Sequence, residues 1–486
     1  MTKRNFLIFS TLILLSTALA FFGISRAQNW NDYSGYLLQA HGILQGSPQW
    51  AVDLVSWGSS HSGIPESPNA YPWAYPLLIA PVVAAFGNDV LAVKMLNIPA
   101  FALFMLFFWL FLRQRDEESV GLAPFALIAL SPVILGWLDL VGAEALFMLF
   151  LYAALWQYSR YEKAPTPTNA ILLGLLAFAT MATRTIGAVT GVLLLVPLVQ
   201  VRQLGWRQSA LLLALGIAAM AIPFLGYAST FPGGESSYVS FLSLTTPASI
   251  ASMAATGFLT LREFFKPFWL GVGLFWSVIP ASLISLVWLA RKAPLQAGML
   301  LAYFAVIAVY PYDGGFRFLF PILPLLLLFL ARAIRQATSA APGNPNGQAA
   351  WQKGILAVTI GIAIVLAASS AVISAREAFT NMQKGRPGSG GPLDDASQQV
   401  YTYINANLPA DAVIGFYKPR TIMLFTDRLS FRNESCDQLA NAGYLLFRNV
   451  NKAQGMLSEE QAQACPQFGM ELLIKNKAYK FYRVTP

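Results

Sequence analysis

The stretch Asn31-Asp32-Tyr33-Ser34-Gly35-Tyr36-Leu37-Leu38-Gln39-Ala40 follows an apolar run from Phe6 to Ile24. A bilayer's hydrocarbon core needs roughly 20 consecutive apolar residues from a crossing helix, and the run is close to that length. Lys3 and Arg4 precede it, and Ala18 and Ala20 lie near its end, as in a cleavable signal. A signal's apolar core is only about 7–15 residues long, so an uncleaved first helix is the better reading. Asp32 then stands just past the membrane.

The rest of the chain is built the same way. It has 486 residues, of which 11% are charged, and a mean hydropathy of +0.54. Soluble globular domains carry about 25% charged residues. A polytopic membrane protein is expected, with about eleven spans read from runs of roughly 20 apolar residues. They lie near 6–24, 90–112, 119–137, 144–159, 168–183, 185–200, 207–228, 268–290, 295–311, 317–334 and 354–374. The fold class is mainly α: a transmembrane helix bundle, residues 1–374, and a small α/β domain, residues 375–486.

Charge sets the orientation. Most basic residues, among them Lys3, Arg4, Arg113, Arg160, Arg291 and Arg332, fall at one set of helix ends. The acids Asp32, Asp53, Glu66, Asp89, Asp139, Glu144, Glu235, Glu263 and Asp313 fall at the other. The positive-inside rule then places the N-terminus in the cytoplasm, and an odd number of spans places the C-terminus outside. The net charge of +9 is a topology signal of this kind, and no nucleic-acid partner is expected.

Two outer segments stand out. Residues 25–89 form a long first loop, rich in Trp, Tyr, Gly and Pro. Within it, positions 32–46 carry helical spacing (Tyr36, Leu37, Ala40, Ile43, Leu44), which reads as an amphipathic helix lying in the interface. The C-terminal segment opens on the Gly385 to Pro392 linker and reads as a helix near 394–407 with strands near 412–416, 444–447 and 478–484. Ser339 to Gly347 reads as an inner loop. Cys436 and Cys465 are the only cysteines. An extracytoplasmic location allows a disulfide between them, and two free thiols are the alternative.

Several residues are placed for chemistry. A carboxylate at Asp32 is suited to take a proton from an acceptor hydroxyl or amine; an Asp there also suits a helix N-cap. Asp139 and Glu144 sit in a short outer turn, where acids near the bilayer are functional candidates. Arg184, Arg317 and Lys94 stand at outer helix ends. Arginine forks fit phosphate oxygens, and three cations at one mouth suit a lipid phosphate; snorkelling to headgroups is the simpler role. His41 and His61 match no zinc spacing, though His61 remains a substrate-contact candidate. Tyr71-Pro72-Trp73-Ala74-Tyr75-Pro76 suits an interfacial aromatic belt or stacking on sugar rings. There is no Walker A loop, HExxH or GxSxG motif, which argues against ATP-driven transport, zinc proteolysis and serine hydrolysis.

Together these features resemble the GT-C superfamily of membrane glycosyltransferases, in particular the protein O-mannosyltransferase and lipid A aminoarabinose transferase group. The family's Asp-Glu-x-x-Tyr motif, with its later Ala and Gly, is matched by Asp32, Tyr33, Tyr36, Ala40 and Gly46, with Tyr33 in place of the glutamate. Its second acidic site falls on Asp139 or Glu144. Its basic residue after the fifth helix falls on Arg184 in Thr183-Arg184, and its Arg-Tyr-x-x-Pro-x-x-Pro stretch on Arg317 to Pro324. The likeness spans residues 1 to about 335.

The resemblance implies an inverting glycosyltransferase in a bacterial inner membrane. It would move a sugar from a polyprenyl-phosphate donor to an envelope acceptor, whether glycolipid, glycan or protein. Asp32, Asp139 and Glu144 would be catalytic. Arg184, Arg317 and Lys94 would hold the donor phosphate, and Tyr36, Tyr71, Tyr75 and His61 would contact substrate. The resemblance assigns no metal and leaves a divalent ion open. A non-catalytic transporter or scaffold for lipid-linked glycans is the alternative reading.

Overall fold

The computed structural model describes residues 3–30, 32–62, 68–233, 245–310, 314–339, 348–385, 391–449 and 456–485. Asn31, Glu66, Glu235, Asp313, residues 340–347 of the inner loop and 386–390 of the linker lie outside the described residues.

Helix α1 spans Lys3–Gly23. The segment read as one outer loop contains three helices, α2 (Tyr33–Leu44), α3 (Pro48–His61) and α4 (Ala74–Phe86). A short helix α5 (Val90–Lys94) leads into α6 (Asn97–Gln114). Helices α7 (Glu118–Leu130) and α8 (Pro132–Leu138) form a pair bent by 53°. Pro132 causes the bend, because it has no amide hydrogen to continue the helix and disfavours helical backbone in the residue before it. Ser131 accordingly adopts an extended conformation and caps α8 through Ile134 N. Then follow α9 (Glu144–Lys163) and α10 (Pro167–Thr183).

The expected span at 185–200 is a 3-10 helix, Thr185–Leu195, ending in α11 (Val196–Val199) and leading to α12 (Val201–Leu204). The bundle continues with α13 (Trp206–Thr230), α14 (Pro247–Thr260), α15 (Gly271–Leu289), α16 (Pro294–Val309), α17 (Leu323–Ser339) and α18 (Gln348–Gln383).

Among the described residues, six helices are long and apolar enough to cross a membrane, or seven with the bent pair. The count of about eleven is therefore not reached on length and composition. At 1.5 Å per residue, helices of 16 or 17 residues such as α10 and α16 extend only about 25 Å, short of a 30 Å core. Helix α9 carries Glu144 at one end and Arg160, Glu162 and Lys163 at the other. The outward faces of the long helices are apolar, with Leu7, Ile222, Leu225, Ile284 and Val372 all exposed. Such surface is stable against lipid tails, and the chain is an integral membrane protein.

Beyond α18 lies a five-stranded mixed sheet of order β2-β1-β3-β5-β4. Its strands are β1 (Val413–Gly415), β2 (Leu429–Phe431), β3 (Tyr444–Arg448), β4 (Gly469–Lys475) and β5 (Tyr479–Thr485). Helices α19 (Asp395–Asn407), α20 (Pro419–Thr426) and α21 (Glu459–Gln463) accompany it. A disulfide joins Cys436 to Cys465, which resolves the two alternatives left by the sequence.

Three apolar cores result. One fills the bundle and one fills the sheet unit. The third joins Leu37, Tyr75 and Ile79 to Val141 before α9 and to Met423 and Leu424 of α20. The sheet unit is thus seated on helices α2 and α3, and not tethered by its linker alone. This also corrects the interfacial reading of α2. Every residue from Tyr33 to Ala40 is buried. The apolar periodicity marked one face, while α4 and α20 cover the others.

Candidate active site

Asp32 occupies the N-cap position of α2, yet its side chain makes no capping hydrogen bond. Its carboxylate points instead to Arg317, whose Nη1 donates to Oδ2 at 2.6 Å. Arg317 belongs to a 3-10 turn, Phe316–Phe318, just ahead of α17. The Tyr71 hydroxyl also donates to the Asp32 carboxylate, and Arg420 adds positive charge from α20. Burial alone would push this carboxyl's pKa up. Arg317, Tyr71 and Arg420 together outweigh burial and hold it below the ordinary Asp value.

A second ion pair lies beside the first. Glu144 opens α9, and Arg184 ends α10; Nη1 of the arginine donates to Oε1 of the glutamate at 2.8 Å. Both side chains are about nine-tenths buried, at 11% and 10% exposure. The Phe318 ring joins the two pairs: the Arg184 guanidinium lies 4.5 Å from its centroid and that of Arg317 5.3 Å. The Tyr303 hydroxyl donates to the Phe318 carbonyl at 2.7 Å and fixes this turn.

Tyrosines fill the space between the pairs. Tyr36 lies within electrostatic range of Asp32, Glu144, Arg184 and Tyr71. Its ring sits 4.8 Å from that of Tyr71 and 5.0 Å from that of Tyr75. Gln39 pins the Tyr71 backbone twice, donating to its carbonyl at 2.8 Å and accepting from its amide at 3.1 Å. Gly142 N donates to the Tyr75 hydroxyl at 3.2 Å, tying the stretch to the turn before α9. Tyr71, Trp73 and Tyr75 are all buried, so this part of the aromatic stretch is not an interfacial belt.

The structure therefore brings together Asp32, Glu144, Arg184, Arg317, Tyr36, Tyr71 and Tyr75. Asp139 and Lys94 belong elsewhere. The Lys94 ammonium is fully buried and lies 3.1 Å from Asp139 Oδ1. It also donates to the carbonyls of Ser25 and Ala27. The other Asp139 contacts come from Ser25, whose amide and hydroxyl donate at 2.7 and 2.6 Å. A buried lysine with its charge and donors satisfied this way pins the exit of α1 to the turn after α8. His61 is also remote from the pairs: it stacks on Trp57 at 4.0 Å and its Nδ1 contacts the Trp57 carbonyl at 2.8 Å. His41 pairs with Asn88 at 2.8 Å.

Among the described residues, no three His, Cys, Asp or Glu side chains converge as a metal-binding group. Asp32 and Glu144 each face a guanidinium.

Arg420 and Tyr303 were not singled out from the sequence, and Phe318 entered only as part of the stretch Arg317 to Pro324. Tyr303 lacked a motif of its own. Arg420 lies 349 positions from Tyr71, and only the docking of the sheet unit brings it near.

No protein-family model matches the chain, and no curated relative matches it. Its structure is similar to that of ArnT from Cupriavidus metallidurans bound to undecaprenyl phosphate. The two are 12% identical with a TM-score of 0.57, over 99% of this chain and 98% of that one. Against the apo state of the same ArnT the values are 12% and 0.56, over 98% and 97%. The archaeal oligosaccharyltransferase AglB from Archaeoglobus fulgidus, in complex with an inhibitory peptide and a dolichol-phosphate, matches with 12% identity and a TM-score of 0.50. That match covers 92% of this chain and 69% of AglB. These likenesses show the fold, which the chain shares with ArnT and AglB.

Proposed function

We propose that the chain is an inverting glycosyltransferase. It would transfer a sugar from a polyprenyl-phosphate donor to an acceptor on the outer face of a bacterial inner membrane. Residues 1–374 would form the catalytic membrane module, with a cytoplasmic N-terminus, and residues 375–486 an extracytoplasmic domain. The observation that carries the reading is the juxtaposition of Arg184 and Arg317 on Phe318, beside Asp32 and Glu144. Two guanidiniums at one outer mouth suit the donor's phosphodiester and the phosphate monoester that leaves, and a carboxylate next to them suits an acceptor proton. The lipid phosphates bound to ArnT and AglB are consistent with such a donor.

In the proposed reaction the acceptor oxygen or nitrogen attacks C1 of the sugar. The bond from C1 to the phosphate oxygen breaks, and the electron pair leaves with the polyprenyl phosphate. Arg317 and Arg184 stabilise the charge that grows on that phosphate. The acceptor proton passes to Asp32. Arg317 serves both groups: it holds Asp32 ionised before the donor binds and faces the phosphate afterwards. Glu144 is engaged by Arg184 and orients it; it is not offered as a nucleophile, which leaves a single displacement with inversion. Asp139, Lys94 and His61 are given no part in the step, because their contacts lie outside the two paired clusters.

The direct test is transfer to membrane acceptors from a panel of polyprenyl-phosphate sugars, read with the inserted wild-type protein. Transfer from one donor names the sugar and supports the reading. No transfer from any donor would refute it in favour of a transporter or scaffold for lipid-linked glycans.

A further inference from the structure

We propose that Arg420, carried by the C-terminal sheet unit, is a positioning residue for the Asp32 carboxylate and acts on it through Tyr71. The inference rests on the glycosyltransferase reading above, and it makes the sheet unit part of the transfer site.

The contacts form a chain with one direction of donation. Arg420 Nη1 donates to the Tyr71 hydroxyl at 2.7 Å, and Nη2 donates to the Pro68 carbonyl at 2.8 Å. The Tyr71 oxygen accepts from Arg420, and the Tyr71 hydroxyl donates to Asp32. The guanidinium also lies 5.1 Å from the Tyr71 ring centroid. Arg420 thus fixes both the rotation of the phenol hydroxyl and the position of its ring. A flexible or misrotated Tyr71 would withdraw a hydrogen bond from the base and let the carboxylate turn.

The docking that delivers Arg420 is specific. Thr421 Oγ1 lies 3.5 Å from Ser34 Oγ, two positions from Asp32. A Cβ on Gly35 would sit 2.6 Å from the Tyr71 ring and 3.2 Å from the Arg420 guanidinium, so only glycine admits both. A Cβ on Gly58 of α3 would sit 2.7 Å from the Ser430 carbonyl of β2. Arg432 N donates to Ser62 Oγ at 2.9 Å at the far end of the same helix. Four points of close approach hold the unit in one place on α2 and α3.

The test uses the full chain in membranes with the donor identified by the panel. Arg420→Ala, Arg420→Lys and Tyr71→Phe are compared with wild type for kcat/KM as a function of pH. The groups facing Asp32 are Arg317 before α17, Tyr71 before α4, Arg420 on α20, Tyr36 on its own helix and, more distant, Glu144 on α9. Arg420→Ala removes one positive charge from this set and one donor to Tyr71. It is expected to lower kcat/KM by up to about 100-fold, the size of effect a displaced reacting group produces. It should also move the acidic limb of the profile to higher pH. Arg420→Lys keeps the charge and should restore the limb more than the rate. Tyr71→Phe should lower the rate by a similar factor.

Docking is read separately, from disulfide formation in Ser34→Cys/Thr421→Cys with and without Arg420→Ala. The proposal expects the cross-link to persist in the Arg420→Ala background. Loss of the cross-link with an unshifted limb would overturn it, because Arg420 would then only hold the unit in place. Wild-type kcat/KM and limb in Arg420→Ala would overturn it outright. A wild-type protein that transfers from no donor is read before any variant, and would instead overturn the reading on which the proposal stands.

Discussion

Arg317 Nη1 lies 2.6 Å from Asp32 Oδ2, although 285 positions separate the two residues. Both side chains are about three-quarters buried, at 23% and 25% exposure. An ion pair in such a place gains from the lower local dielectric and costs desolvation, and it persists because Tyr71 adds a further hydrogen bond to the carboxylate. In the proposed reaction the same guanidinium must also face the donor phosphate.

Replacing Arg317 should therefore damage both donor binding and transfer. Arg317→Lys keeps a charge but loses the planar fork, and is expected to raise KM for the donor with a smaller loss in kcat. Arg317→Ala should lower kcat/KM by at least about 100-fold, the usual cost of removing one transition-state donor. Steady-state kinetics against donor concentration separate the two effects.

The pH dependence follows from the lowered pKa of Asp32. The proposed base works as carboxylate, so transfer should fall only as pH drops through the folded value, which lies below the ordinary Asp range. The stability contribution has the same sign. It is fully present above the unfolded Asp value of about 3.9 and is lost as pH falls through the lower folded one. Thermal unfolding of wild type and Asp32→Asn across pH 3–6 checks this: the difference between them should shrink toward acid.

Glu144 and Arg184 make a pair nine-tenths buried. Glu144→Ala leaves a guanidinium without its counter-charge and should cost about 3 kcal/mol of stability. Transfer should fall as well, because Arg184 loses the partner that aims it. Glu144→Gln keeps the size and an acceptor oxygen and should recover much of the stability, but little of the transfer. Unfolding midpoints and transfer rates on the same preparations decide between these effects.

Lys94 and Asp139 are predicted to matter for folding and not for the reaction. Lys94→Met strands the Asp139 carboxylate beside Ser25 and should cost about 3–5 kcal/mol. Lys94→Met/Asp139→Asn removes both charges and should recover part of that loss. The folded fraction of the double variant should transfer at close to the wild-type rate. A folded double variant with no transfer would return Asp139 to the site.

Much of this was legible in the sequence, and the rest was not for identifiable reasons. Apolar runs announced the bundle, and the placement of Asp32 just after the first of them singled out the residue that pairs with Arg317. Local pattern reading could not tell an α-helix from the 3-10 geometry of Thr185–Leu195, because the composition suits both. It also missed α3, although Ser47-Pro48 suits a helix start, and α4, where Pro81 interrupts the helical period. Chain proximity grouped Asp139 with Glu144, five positions apart, yet the turn between them sends one carboxylate to Lys94 and the other to Arg184. The largest gap was Arg420. Nothing in Lys418-Pro419-Arg420 points to Tyr71, since the contact exists only after the sheet unit has folded and docked.

In the proposed reaction Asp32 carries the transfer. The most direct measurement compares Asp32→Asn with wild type, at equal expression and membrane insertion, for transfer from the donor the panel identifies. The amide keeps the size of the side chain and cannot accept the acceptor proton. The Asp32→Asn protein is expected to insert and fold, with transfer reduced by at least about 100-fold, within the usual 10²–10⁴ range for a lost general base. Transfer at the wild-type rate would contradict that role for Asp32.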